Sequence, residues 1–191
     1  GMLPDLARVV LDRACTDFAA APDLGWVSVN LASEDLADPR LPHVVESALA
    51  RTGLPSERLI LEITESSAMG LPEQVRQFMR ELQQAGVSFA LDDFGAGYTS
   101  FRYLRDFCFD MIKIDGQFVR DISAQRDNQV LARALQSIAH QFDMFTVAEQ
   151  VETADDAAFL IDLGIDCLQR FYFGAPTISP PWRSPNAAAR R

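Results

Sequence analysis

The chain has 191 residues, 48% of them hydrophobic and 23% charged, with a formal net charge of −10. This is one domain's worth of soluble globular composition, long enough to bury a substantial core. The acidic balance argues against a long nucleic-acid partner, whose backbone needs basic side chains, but admits a small phosphodiester if metal cations stand between it and the carboxylates. No apolar run approaches the roughly 18 residues needed to span a bilayer. The opening Gly1-Met2-Leu3-Pro4 lacks the basic and apolar regions of a signal peptide, so the cytoplasm is the expected compartment. Gly1 ahead of Met2 reads as a cloning remnant. Cys15, Cys108 and Cys167 are scattered and form no CxxC, which reads as buried, unbridged thiols in a reducing compartment. His43 and His140 fall on predicted helices and read as structural residues.

In chain order, a helix around Leu6–Ala19 precedes six short apolar segments predicted as strands: Trp26–Leu31, Arg58–Ile63, Val87–Asp92, Met111–Asp115, Met144–Glu149 and Ile165–Gln169. Helical patterns run between them. Pro72 suits a first helical turn. Val130, Leu131, Ala134, Leu135, Ile138, Ala139 and Phe142 fall on what reads as a single apolar stripe. Thr153 is a fair N-cap ahead of Asp155 and Asp156, with Gly164 just past the end of that helix. The tail from Ser179, rich in proline and then alanine, is expected outside the core, which places the domain at 1–178 and the tail at 179–191.

Repeated strand-then-helix units imply a parallel sheet, either open and doubly wound or a (β/α) barrel. Each strand is apolar at its start and polar near its C-terminal end, at Asn30, Glu62, Asp92, Lys113, Glu149 and Gln169. Barrel active sites assemble from strand ends at that face. A dinucleotide-binding sheet would carry a glycine-rich loop after its first strand, and none is present. The barrel reading is preferred.

Asp92-Asp93-Phe94-Gly95-Ala96-Gly97 carries the strongest chemical signal. Adjacent strand residues face opposite sides, so both aspartates reach one site only if the strand ends between them, with Gly95 and Gly97 supplying the turn. Glu62 closes the run Leu59-Ile60-Leu61, and Glu65 lies in the loop beyond. In Trp26–Leu31, Val27, Val29 and Leu31 face the helices while Ser28 and Asn30 point inward. Lys113 and Asp115 turn the same way between Ile112 and Ile114. Each of these residues alone also has a plain structural reading, as a helix cap, a hydrogen-bonded amide or an ion pair. Together, Glu62, Asp92, Asp93 and Glu149 with Asn30 and Lys113 form an oxygen-rich set without Cys or His. That set suits two Mg²⁺ or Mn²⁺ ions, or inhibitory Ca²⁺, before Zn²⁺. Two such ions would clamp a phosphodiester for in-line hydrolysis.

At these residues the sequence resembles the EAL domain family of cyclic-di-GMP phosphodiesterases. The motifs run in order through Ser28-Val29-Asn30-Leu31, Leu61-Glu62-Ile63-Thr64-Glu65-Ser66, Asp92 to Ser100, Ile112-Lys113-Ile114-Asp115, Val147-Ala148-Glu149 and Gln169, and the likeness spans about Leu3 to Pro176. The resemblance implies a TIM-like barrel and cleavage of cyclic di-GMP to linear pGpG. Asn30, Glu62 and Asp92 would hold a first metal, and Asp92, Asp93 and Glu149 a second. Lys113 would orient the hydrolytic water, while Asp115 and Gln169 would line the pocket. Glu65 would brace the loop Phe94 to Ser100, which in the family takes part in dimer contacts. A homodimer is thus implied, and an upstream sensory or GGDEF-type domain is compatible with the likeness.

Two departures stand out. No Glu-Ala-Leu triplet, whose glutamate is a ligand of the first metal in the family, occurs in these residues, so the barrel is expected to be incomplete at about six strands, with edges that a second subunit or a rearranged terminus would cover. Gln150 and Arg170 stand where glycines are common. The competing readings are an active phosphodiesterase, a catalytically inactive sensor or adaptor that binds cyclic di-GMP or a partner protein, and a barrel enzyme acting on another phosphate ester.

Overall fold

The structure, a computed structural model, describes residues 3–95, 104, 106–169, 177, 180 and 182. Its sheet has six strands in sequential order, each parallel to the next. They are β1 (Val27–Leu31), β2 (Leu59–Thr64), β3 (Ser88–Phe94), β4 (Met111–Ile114), β5 (Phe145–Ala148) and β6 (Cys167–Leu168). Among the described residues the α-helices with defined bounds are α1 (Leu3–Ala19), α2 (Ser33–Leu36), α3 (Leu41–Thr52), α4 (Glu65–Gly70), α5 (Pro72–Gln84), α6 (Gly116–Val119), α7 (Arg126–Gln141) and α8 (Ala154–Leu163). The described helices between strands pack on one face of the sheet, which leaves the other face to curl on itself as a half-barrel. Trp26, just ahead of β1, meets Phe145 of β5 edge-to-face at 5.8 Å between ring centroids, so the curl brings strands together that are not hydrogen-bonded neighbours.

Strand alternation divides the core in two. Leu59, Leu61 and Ile63 of β2, Phe89 and Leu91 of β3 and Ile112 of β4 face outward and pack against helices. Ile60, Ala90, Met111 and Val147 face inward and form a small separate cluster with Phe145 and Cys167. The helices bury residues at their expected periods: Leu41, Val45, Ala48 and Leu49 in α3, and Val75, Phe78, Met79 and Leu82 in α5. Pro72 opens α5, the Thr153 hydroxyl accepts the Asp156 N–H at the start of α8, and Gly164 closes α8.

The ends opposite the site are tied by side chains. Asp110 accepts the Phe89 N–H at 2.8 Å, and Asp166 accepts both the N–H and the hydroxyl of Thr146 at 2.8 and 2.6 Å. Each aspartate precedes its own strand and satisfies a donor of the preceding one, which would otherwise be orphaned at the sheet end. Arg58 donates to the carbonyls of Ala21, Leu24 and Gly25 and pins the α1–β1 turn.

Two expectations are corrected. The stripe on α7 is not one buried face: only Ala132 and Ala139 are buried, while Val130, Leu131, Ala134 and Phe142 are exposed. The small alanines, seven residues apart, let the helix lie close to the sheet, and the larger apolar residues flank that line of contact. The cysteines are unbridged, but only Cys15 is buried; Cys108 is exposed because it occupies a left-handed turn residue, with φ +52, ahead of β4. Burial and the nearby Asp12 push the Cys15 thiol up to about 11. His43 and His140 are exposed. From the tail, Trp182 meets Phe18 of α1 edge-to-face at 5.3 Å. Gly97, Arg170 and most of the loop Phe94 to Ser100 lie outside the described residues, and no described helix is long and apolar enough to cross a membrane.

Candidate functional site

At the C-terminal rim the inward positions turn polar. Lys113 of β4 is the hub. Its ammonium lies 2.7 Å from Glu62 Oε2, 2.9 Å from Asp92 Oδ1 and 2.7 Å from Glu149 Oε1. Glu62, Asp92 and Lys113 are buried, and Glu149 is half-buried. Burial opposes the charge on Lys113, but the hydrogen bonds it donates to Glu149, Glu62 and Asp92 outweigh it, so the amine is held above its ordinary range. Burial pushes Glu149 up, aided by Asp92 and Glu62 and opposed by Lys113.

Asp93 joins the site by a route different from the one expected. β3 does not end between the two aspartates; it continues to Phe94, and its register against β4 shifts between Leu91 and Phe94. Asp93 takes φ +56, a left-handed conformation that aspartate tolerates better than most residues. This bulge inserts one residue, so Asp92 and Asp93 both reach the rim while Leu91 and Phe94 stay in the outer core. Gly95 follows at φ +98, where a Cβ would meet the Phe118 ring at 2.6 Å, so only glycine fits the turn. Its N–H donates to Glu65 Oε2 at 3.2 Å, which ties α4 to the end of β3.

Carboxylate oxygens of Asp92, Asp93 and Glu149 approach within 4.8 Å of one another, a separation that one cation could bridge. Burial raises the Asp93 carboxyl, and the nearby charges of Asp92 and Asp115 add to the effect. Asp115 also accepts the Gln117 N–H at 2.6 Å and caps α6. Asn30 is exposed and sits beside Glu62 in the β1–β2 register, while Gln169 is exposed just past β6. The structure therefore draws Glu62, Asp92, Asp93, Lys113, Asp115 and Glu149 into one continuous group, with Asn30 and Gln169 at its flanks. Sequence reasoning did not single out Gln150 as a strained residue, although it holds φ +59 directly after Glu149.

A curled parallel sheet of sequential strands with a cluster of carboxylates at its C-terminal rim defines a barrel-type α/β domain. The chain belongs to the EAL domain family, whose sequence profile matches residues 1–176. It is 39% identical over 178 residues to an uncharacterized signaling protein of Caulobacter vibrioides, covering 92% of this chain and 22% of that protein. It is 35% identical over 180 residues to the cyclic di-GMP phosphodiesterase NbdA of Pseudomonas aeruginosa, covering 92% of this chain and 23% of that protein. The chain thus spans less than a quarter of the length of these relatives. Among solved structures it resembles the MucR phosphodiesterase of Pseudomonas aeruginosa in complex with cyclic di-GMP, with a TM-score of 0.85 and 33% identity over 91% of this chain and 72% of that one.

Proposed function

We propose that this domain binds cyclic di-GMP at the rim and hydrolyses it to linear pGpG with two divalent cations, Mg²⁺ or Mn²⁺. The observation that carries the reading is the convergence of Asp92, Asp93 and Glu149 within reach of a single cation, beside a buried Lys113. In this reading Asn30, Glu62 and Asp92 hold one ion, and Asp92, Asp93 and Glu149 hold the other. When bound, the ions would acidify a water and neutralise charge on the phosphodiester. Ca²⁺, larger and laxer in geometry, would occupy the site without supporting turnover.

The protein's own groups do the rest. With the carboxylates shared among cations, the donors of Lys113 become available to a phosphate oxygen or to the attacking water. Glu65, through the Gly95 N–H, fixes the turn that aims Asp93. Asp115 and Gln169 line the mouth. A homodimer and additional domains in the whole protein belong to the same proposal, in keeping with the bifunctional diguanylate cyclase and phosphodiesterase MucR among the relatives.

A second reading, a sensor that binds without cleaving, draws on Lys113. Three contacts of 2.7–2.9 Å already compensate Glu62, Asp92 and Glu149 without any cation. Calorimetric titration of cyclic di-GMP in Ca²⁺, followed by turnover assays in Mg²⁺ and Mn²⁺, separates the two. Turnover that Asp92→Asn abolishes selects the enzyme; tight binding without turnover selects the sensor. Neither binding nor turnover would sink both.

A further inference from the structure

Gln150 is held in a conformation it does not favour. At φ +59 it occupies backbone space suited to glycine, asparagine or aspartate. The chain on either side is pinned: the Glu149 N–H donates to Ile114 O at 3.2 Å, and the N–H of fully buried Val151 donates to Gln169 O at 3.3 Å. The side chain lies flat over Gly116, where an added Cβ would fall 2.1 Å from Gln150 Cδ and 2.4 Å from its Cγ. Its Oε1 accepts from Arg120 Nη2 at 3.1 Å, across the far end of α6. Gln150 therefore grips the β4–α6 turn at both ends of its short helix.

That turn carries Asp115, whose N–H donates to the carbonyl of Phe94, the residue after Asp93, at 3.4 Å, while Gln150 is itself the neighbour of Glu149. We infer that Gln150 is a positioning residue, a clasp that locks the Asp115–Gly116 turn against the end of β5 and so sets the separation of the Asp93 and Glu149 carboxylates for a divalent cation. This rests on the reading of Asp92, Asp93 and Glu149 as a cation site. Partners that orient metal ligands from behind typically contribute about tenfold or more to affinity. The role assigned to Gln150 is of that kind, exerted through packing rather than through a direct bond to a ligand.

The test is a double-variant cycle read by Mn²⁺ titration of the whole chain, with melting temperature followed alongside. Gln150→Gly, which relaxes the backbone but opens the clasp, is expected to weaken Mn²⁺ binding by roughly tenfold while the melting temperature stays within about 2 °C. Gly116→Ala, whose methyl would displace Gln150, should weaken it similarly. The double variant should bind no worse than Gln150→Gly, because the glycine vacates the space that the methyl needs. Gln150→Asn, which tolerates the left-handed backbone but cannot reach across Gly116, should match Gln150→Gly and guards against misfolding of the Gly116 variant. Equal Mn²⁺ affinity across all these proteins overturns the clasp and leaves the cation site standing, as does an affinity loss that merely tracks a fall in melting temperature. If the parent chain binds no Mn²⁺ at all, the site reading falls and the clasp goes with it.

Discussion

Replacing Lys113 with methionine keeps the volume of the side chain and removes the ammonium that compensates Glu62, Asp92 and Glu149. Near 2.8 Å and at an effective dielectric of about 20, each contact corresponds to about 6 kcal/mol of gross attraction. Burying the ions offsets most of that sum, but removing one partner from a buried ionic group still costs about 3–5 kcal/mol, because the others are left uncompensated. The pH dependence has a definite sign. The Lys113 pKa is raised on folding, so the contribution of its ammonium is fully present below the ordinary lysine range and is lost only as pH climbs through the higher folded value. At pH 5 and pH 7.5 the parent therefore holds it in full. In the variant, the carboxyls that burial raises, Glu149 and Asp93, take up protons more readily as pH falls, which relieves the repulsion. Urea unfolding in EDTA should show a loss of about 3–5 kcal/mol at pH 7.5, a smaller loss at pH 5, and partial recovery when Mn²⁺ is added. A loss under about 1 kcal/mol at pH 7.5, or one equally large at both pH values, would refute the assignment of Lys113 as the charge-compensating hub.

Two further outcomes follow from the same charges. Burial and neighbouring carboxylates raise Asp93 and Glu149, so their share of stability is present at low pH and is lost as pH rises through their folded values; Mn²⁺ should accordingly raise the melting temperature far more at pH 8 than at pH 5, and equal shifts would count against these residues as ligands. At the start of α8, Asp156 accepts from the Ser123 N–H at 2.9 Å and from the Thr153 hydroxyl at 2.6 Å, and these bonds hold its pKa down despite burial. Asp156→Ala should lose about 2–3 kcal/mol at pH 7 by urea unfolding, with the difference from the parent shrinking as pH falls through the lowered Asp156 value.

The architecture was open to sequence reading because its two determinants are local. Apolar strand starts repeat against polar strand ends, and each intervening segment carries a helical period, so six parallel strands and the polar rim follow from alternation alone. The α7 stripe misled for a physical reason: apolar residues spaced for one face do not say which of them reaches the sheet, and here the small Ala132 and Ala139 make the close approach. Cys108 misled in the same way, since the preference of cysteine for burial yields to a turn that a single residue must make. What could not be read was the triple pairing of Lys113, which depends on the curl that carries β2, β3 and β5 ends to one point.

The strained residues of the rim obey one rule, and it has a sequence signature. Leu91 and Phe94 both belong to the outer core, as do Ala148 and Val151, and each pair is three residues apart. In a regular strand such a spacing would put the two members on opposite faces. The chain keeps both in the core by inserting one residue with positive φ between them, Asp93 in β3 and Gln150 after β5. Two polar residues bracketed by apolar ones at a strand's C-terminal end, Leu91-Asp92-Asp93-Phe94 and Ala148-Glu149-Gln150-Val151, thus mark where adjacent side chains are turned to the same rim. The apolar brackets hold the strain, since releasing the left-handed residue would expel a buried side chain from the outer core. In one case the extra position carries a second carboxylate; in the other it carries the side chain that lies over Gly116. The same backbone device therefore places a ligand candidate on one side of Lys113 and its support on the other.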